Sequence, residues 1–235
     1  MNLQIRSYKK ELLDREDIPF VDIERNMQEL AFINTWLGGH RISILGLRQL
    51  LQNRTSIHIC EIGCGGGDNL LTLYKWCRQN NIRARFTGID INRECITVAE
   101  NQQALKDHCN WIVSDYSQVV FDCKPDIIFS SLFCHHFTDN ELINQLQWMK
   151  ENSKIGFFIN DLHRHWLAYY SIRFLTRLFS SSYLVKNDAP VSVTRGFIKK
   201  EWITIFTKAG IRNYLIQWRR MFRYLVIYKH ELQSV

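Results

Sequence analysis

The run Ser56-Ile57-His58-Ile59-Cys60-Glu61-Ile62-Gly63-Cys64-Gly65-Gly66-Gly67-Asp68-Asn69-Leu70 decides the fold. An apolar stretch ends in an acid and opens into a glycine-rich turn, and a helix beginning at Gly67 would carry Leu70, Leu71, Leu73 and Tyr74 inward. Glycines ahead of such a helix let the backbone approach a ligand with no side chain in the way. Strand, tight turn and helix in this order make a nucleotide-type binding turn.

Register narrows the ligand. The dinucleotide fingerprint wants glycines at relative positions one, three and six, and counting from Gly63 the sixth place holds Asp68. The phosphate-loop ending Gly-Lys-Ser/Thr is absent, and no lysine lies between Arg54 and Lys75 to meet a triphosphate. What remains is Glu61-x-Gly63-x-Gly65-x-Gly67, whose strand-end carboxylate suits a ligand with positive charge near the turn, as in S-adenosylmethionine. Glu61 to Gly67, with the acids that follow, resembles motif I of the class I S-adenosylmethionine-dependent methyltransferases, over roughly residues 55 to 160. The resemblance implies an α/β fold: a doubly wound, mostly parallel, seven-stranded Rossmann-like sheet with an antiparallel last strand.

Further strands follow with the same ending. Ala84 to Asp90 reads as the second strand, and Asp90 stands 23 residues beyond Gly67, where a strand-end carboxylate accepts hydrogen bonds from ribose hydroxyls. Asn92 caps a helix expected from Arg93 to about Lys106. Asn110 to Tyr116 is a third strand; by resemblance Asp115 accepts from the adenine amino group, with Tyr116 beside it. The same resemblance assigns Gly63, Cys64, Gly65, Ile91 and Ser131 to the cofactor. Lys124 to Ser131 is a continuous apolar run fitting a parallel strand covered on both faces. At its end Leu132-Phe133-Cys134-His135-His136-Phe137 corresponds, by resemblance, to the segment that carries substrate-facing groups, with His135 as base and His136 packed. Lys154 to Asn160, followed by Asp161, is the fifth strand. The 26-residue separation of His135 and Asp161 is similar to that of a His and Asp proposed as proton acceptors in some sugar O-methyltransferases of this superfamily.

The flanks depart from a minimal domain. Residues 1–55 read as a helical cap, with a helix from Val21 to Leu37 stopped by Gly38-Gly39; no chemistry is read in the charged stretch Met1 to Asp17. Residues 56–235 read as the methyltransferase domain, interrupted at about 162–196 by an aromatic-rich lid in which Arg164, Arg173 and Arg177 interleave the rings. Such a stretch could hold a bulky aromatic or lipid-like acceptor, or touch a membrane interface. The helix from Phe197 to Ala209 leads to an antiparallel pair, Ile211 to Ile216 and Phe222 to His230, around the basic patch Gln217 to Arg223.

Charge is unevenly spread. The total of +7 hides 13 Lys and Arg against 4 Asp and Glu in residues 161–235, while residues 57–160 are net acidic. Seven cysteines, odd in number and without a Cys-x-x-Cys spacing, read as reduced thiols, and no metal site is read. No apolar run approaches a membrane span and no leader is evident, so a cytoplasmic enzyme without an obligate protein partner is expected. The expected reaction is methyl transfer from S-adenosylmethionine to the hydroxyl of a phenolic, natural-product or lipid-like small molecule. Carbon methylation of a quinone is the nearest variant. RNA methylation ranks behind it because no Asn/Asp-Pro-Pro-Tyr motif or RNA module is present, and a non-catalytic cofactor-binding protein comes last.

Overall fold

The computed structural model describes residues 3–15 and 17–231. Its seven strands are β1 (Ser56–Ile62), β2 (Arg83–Asp90), β3 (Cys109–Val113), β4 (Ile127–Ser131), β5 (Gly156–Leu162), β6 (Tyr214–Arg219) and β7 (Arg223–Lys229). They form one sheet in the order β3-β2-β1-β4-β5-β7-β6. Only β7 runs against the rest, pairing antiparallel with both β5 and β6. The strand order reverses between β1 and β4, and in open α/β sheets the crevice outside the carboxyl ends at that point is where ligands bind. Both the glycine turn and the His135-His136 segment sit there.

Among the described residues eight α-helices accompany the sheet: α1 (Phe20–Trp36), α2 (Gly39–Leu51), α3 (Asp68–Gln79), α4 (Arg93–Glu100), α5 (Asp139–Asn152), α6 (Trp166–Phe179), α7 (Tyr183–Arg195) and α8 (Lys199–Lys208). Each face of the sheet carries its own core. Leu47, Leu50, Leu70 and Leu73 bury against Phe158 and Phe129 on one side; Leu142, Leu146, Trp202 and Phe206 bury against Phe157 and Ile159 on the other. The alternation of Phe157, Phe158 and Ile159 between the two cores is the period-two signature of a strand covered on both faces. Helix α2 lies so close to β5 that a Cβ on Gly46 would fall 2.5 Å from the Phe158 ring.

Three expectations change. The helix expected to reach Lys106 stops at Glu100, and Gln102, whose side-chain amide donates to Gly66 O at 3.4 Å, begins a separate 3-10 turn that buries Leu105. The lid is two helices: the chain turns at Ser180 to Ser182, where Ser182 caps α7 and Glu29 of α1 accepts from the Ser181 and Ser182 amides. Arg223 does not belong to the basic surface patch, because β7 carries it inside, where it donates to Asn34 Oδ1 at 2.9 Å and to Asn160 Oδ1 at 3.4 Å. Burial pushes its guanidinium down to about 10, against the raising charges of Asp161 and Asp68. The N-terminal segment and the lid meet over the carboxyl ends of the strands: Leu12 N and Leu13 N donate to Asp188 of α7, and Ser7 N to Thr194 O. All seven cysteines are unpaired.

Candidate active site

The glycine turn is locked in a shape only glycine takes easily. Gly63, Gly65 and Gly67 have φ of +65°, +50° and +76°, in the left-handed region that costs a residue with a Cβ about 1–2 kcal/mol. A Cβ on Gly63 would lie 2.1 Å from the Phe133 ring, and one on Gly67 2.6 Å from Trp111. The amides of Gly63 and Cys64 donate to Ile89 O, and that of Gly65 to Asp90 Oδ2 at 2.8 Å, so the turn is fastened to the end of β2. Asp90 Oδ1 also accepts from Asn92 N, and Asn92 itself caps α4 as expected.

A cavity of about 790 Å³ opens against this turn. Glu61, Gly63, Cys64, Gly65, Asp90, Ile91 and Ser131 all line it. Glu61 is 1% exposed and its Oε2 has no hydrogen-bond partner among the described residues. Burial, then the charges of Asp68 and Asp90, pushes it well above the usual carboxylate range. Burial likewise raises Asp90, over the opposing hydrogen bonds from Asn92 and Gly65. Asp68 differs: His40 Nε2 donates to it at 2.6 Å and Asn34 Nδ2 at 3.1 Å, and together these outweigh burial and hold it low. An unpartnered acid buried beside two others is a cradle for a cationic or hydrogen-donating group. The charge pattern fits the sulfonium and ammonium of S-adenosylmethionine, and the open glycine backbone leaves room for it.

The opposite wall carries titratable groups from three distant parts of the chain. His135 sits in the 3-10 turn Cys134–His136 just beyond β4, and its Nδ1 donates to Asp161 Oδ1 in β5 at 2.8 Å. Asp161 Oδ2 also accepts the His135 amide. His135 Nε2 faces Glu11 Oε1 at 3.4 Å; His136 Nε2 lies 3.7 Å from Glu11 Oε2, and its Nδ1 3.4 Å from Asp14 Oδ1. Ser192 of α7 donates to Glu11, while Arg195 donates to the carbonyls of His135 and His136. Burial alone would depress His135, but the charge and hydrogen bond of Asp161, then Glu11, raise it to about 9. The same contacts hold Asp161 and Glu11 low in spite of burial, and His136 brings Asp14 to about 2. The donor atoms of Glu11, His135 and His136 lie within 4.8 Å of one another, a set that would also suit a divalent cation.

Of the sequence-predicted residues, the cavity gathers seven of the cofactor set and His135; Asp161 stands directly behind His135. Asp115 is exposed and caps the next turn by accepting from Ser117 N. Tyr116 packs edge-on against Phe133, Phe137 and Trp148. Neither lines the cavity, although Ser114 N donates to Asp90 O and holds the end of β3 beside it. His136, expected to be packed, is the more exposed of the pair, its side chain 24% accessible and on the cavity wall. Sequence reasoning missed Glu11, Asp14, His40, Asn34 and Arg223. For Glu11, 124 residues before His135, only the acidic spacing Glu11-x-x-Asp14 was there to see.

The switch-point crevice and the glycine turn are those of a Rossmann-like methyltransferase fold, and the acid-lined cavity is one whose charges suit S-adenosylmethionine. Residues 59–156 match the methyltransferase domain family model. No curated protein matches the sequence. Among solved structures the chain is similar to the plantazolicin methyltransferase BpumL in complex with S-adenosylhomocysteine, at 18% identity over 92% of each chain with a TM-score of 0.67. It is similar to human N-acetylserotonin methyltransferase in complex with S-adenosylmethionine, at 13% identity over 90% of this chain and 56% of that one, with a TM-score of 0.62. A protein of Nostoc punctiforme PCC 73102, provisionally described as an O-methyltransferase, gives 12% identity over 87% of this chain and 60% of that one, with a TM-score of 0.59. The chain therefore spans little more than half the length of the last two, and at these identities the likeness is one of fold.

Proposed function

We propose that the enzyme transfers the methyl group of S-adenosylmethionine to a hydroxyl oxygen of a small, lipid-like or phenolic acceptor. The observation that carries this reading is that one cavity joins an unpartnered buried carboxyl, Glu61, to a proton-accepting group, His135 with Asp161. Glu61 would meet the cofactor's positive charge, Asp90 the ribose, and the amides around Gly63, Cys64 and Gly65 would flank the chain bearing the sulfonium. Ile91 would pack on the adenine, and Ser131 would lie beneath the methyl.

The transfer forms one oxygen–carbon bond and breaks one sulfur–carbon bond, and the hydroxyl proton must leave. His135 Nε2 takes it, with Asp161 fixing the ring and stabilising the imidazolium. A base titrating at about 9 is well matched to a phenol of ordinary pKa ~10. Glu11 faces that nitrogen from the N-terminal segment and closes the cavity around it, so most of the enzyme's contribution is positioning and exclusion of water.

The test is a labelled-methyl assay over phenols, quinones and RNA. Transfer to a phenolic or other hydroxyl is expected, and His135→Ala should lower turnover by about 10²- to 10⁴-fold with S-adenosylhomocysteine binding unchanged. EDTA should leave turnover unaltered, because His135 serves as a proton acceptor and not as a metal ligand. Transfer to carbon or RNA alone, or full turnover in His135→Ala, would overturn the reading.

A further inference from the structure

The outer face of α6 has no partner among the described residues. Trp166, Tyr170, Phe174 and Leu178 recur every four residues along one stripe, with Phe179 beyond them, and all are exposed, Phe174 at 65% and Phe179 at 75%. On α1, Phe32 and Trp36 are in ring contact and also exposed, Trp36 at 71%. Glu29, one turn before Phe32, holds the Ser180 to Ser182 turn at the end of α6, so the two apolar surfaces adjoin. At the other end of α6, His165 stacks on Phe222 of the β6–β7 turn, which adds exposed Met221, with exposed Trp218 at the end of β6 beside it. An exposed apolar surface of this extent on a folded domain marks a place where something docks.

Charge identifies the occupant. Helix α6 contains no acid, while Arg177 on α6 and Arg220 in the β6–β7 turn are exposed at the border of the apolar stripe. Of the four acids in residues 161–235, Asp161 and Asp188 are buried and Glu201 pairs with Arg164 at 2.6 Å; Glu231 lies beyond β7. A second copy of the chain docked across a two-fold axis would bring these arginines against their own kind. Aromatic rings bordered by arginine, with Glu29 at their junction taken up by the Ser180 to Ser182 turn, are what an anionic lipid surface recognises: rings seat at the headgroup boundary and cations meet phosphates. Fourteen helical residues are about 21 Å long, too short to cross a bilayer core, and no helix among the described residues is long and apolar enough to do so. Helix α6 would lie in the surface plane.

We propose that the enzyme docks peripherally on anionic membranes through the outer face of α6, with Phe32, Trp36 and the β6–β7 turn beside it. The inner side of the same helix contributes Ile172 to the cavity wall, facing Ile33 and Leu37 of α1. Docking would therefore bring the acceptor end of the cavity to the lipid. This placement rests on the acceptor reading above; the docking itself does not.

Co-sedimentation of the full chain with vesicles tests it, using phosphatidylcholine alone and phosphatidylcholine with one third phosphatidylglycerol. Binding at least tenfold stronger to the anionic vesicles, weakening with salt, is expected. Trp166→Ser with Phe174→Ser should abolish it, and Arg177→Gln with Arg220→Gln should reduce it about tenfold or more. Each double variant should bind S-adenosylhomocysteine as the parent does, which separates loss of docking from loss of fold or of cofactor. Equal or absent binding to both vesicle types would overturn the proposal. So would light scattering that shows a dimer which Trp166→Ser with Phe174→Ser dissociates, because the face would then be a contact between copies.

Discussion

His135 carries two opposing requirements. Asp161 and Glu11 favour its protonated form, yet in the proposed reaction the ring must be neutral before it can accept a substrate proton. The free enzyme's kcat/KM should therefore rise with pH and level off only above about 9. Asp161→Asn removes the largest raising influence and should move that limb to lower pH, with a lower plateau because the ring is no longer oriented. A pH–rate profile of both forms measures this, and a limb that stays in place would detach Asp161 from the base. Gly63 tests the other wall. Gly63→Ala must hold a Cβ at φ +65° and displace the Phe133 ring, so Tm should fall by about 2–8 °C and the affinity for S-adenosylhomocysteine by tenfold or more; a change in neither would mean that the turn is looser than described.

The N-terminal segment is held to the sheet largely by charge. His135 is raised above its ordinary value, so its contribution to stability is complete below pH ~6.5 and is lost as pH rises through about 9. Glu11 and Asp161 are lowered, so theirs is present above their ordinary values and is lost as pH falls below about 4. Thermal melts should be highest between about pH 5 and 6.5, and Glu11→Gln should flatten the alkaline decline. An alkaline decline as steep in Glu11→Gln as in the parent would contradict the coupling. The same elements explain what was readable in sequence. β1, β4 and α3 announce themselves through local pattern. Glu11 does not: a 3-10 turn of three residues has no periodicity, and its value comes from Asp188 and Ser192 of α7, which grip it from more than 170 residues away.

For the whole molecule, the switch point between β1 and β4 explains why residues scattered from Glu11 to Arg223 share one cavity. The strand-end acids Glu61 and Asp90 were legible because each closes an apolar run. Asp115 was legible by the same rule and yet faces solvent, since β3 ends at Val113 and the chain turns before its carboxylate can reach the cavity. The lid's aromatics were visible, but which would be inside was not: α6 packs through Ala168 and Thr176 and leaves its largest rings outward. Calorimetric titration with S-adenosylhomocysteine tests the central claim most directly. One site per chain is expected, weakened at least tenfold in Asp90→Ala and unchanged in His135→Ala, since the two residues serve opposite ends of the cavity. No binding at millimolar ligand, or equal affinity in Asp90→Ala and the parent, would contradict it.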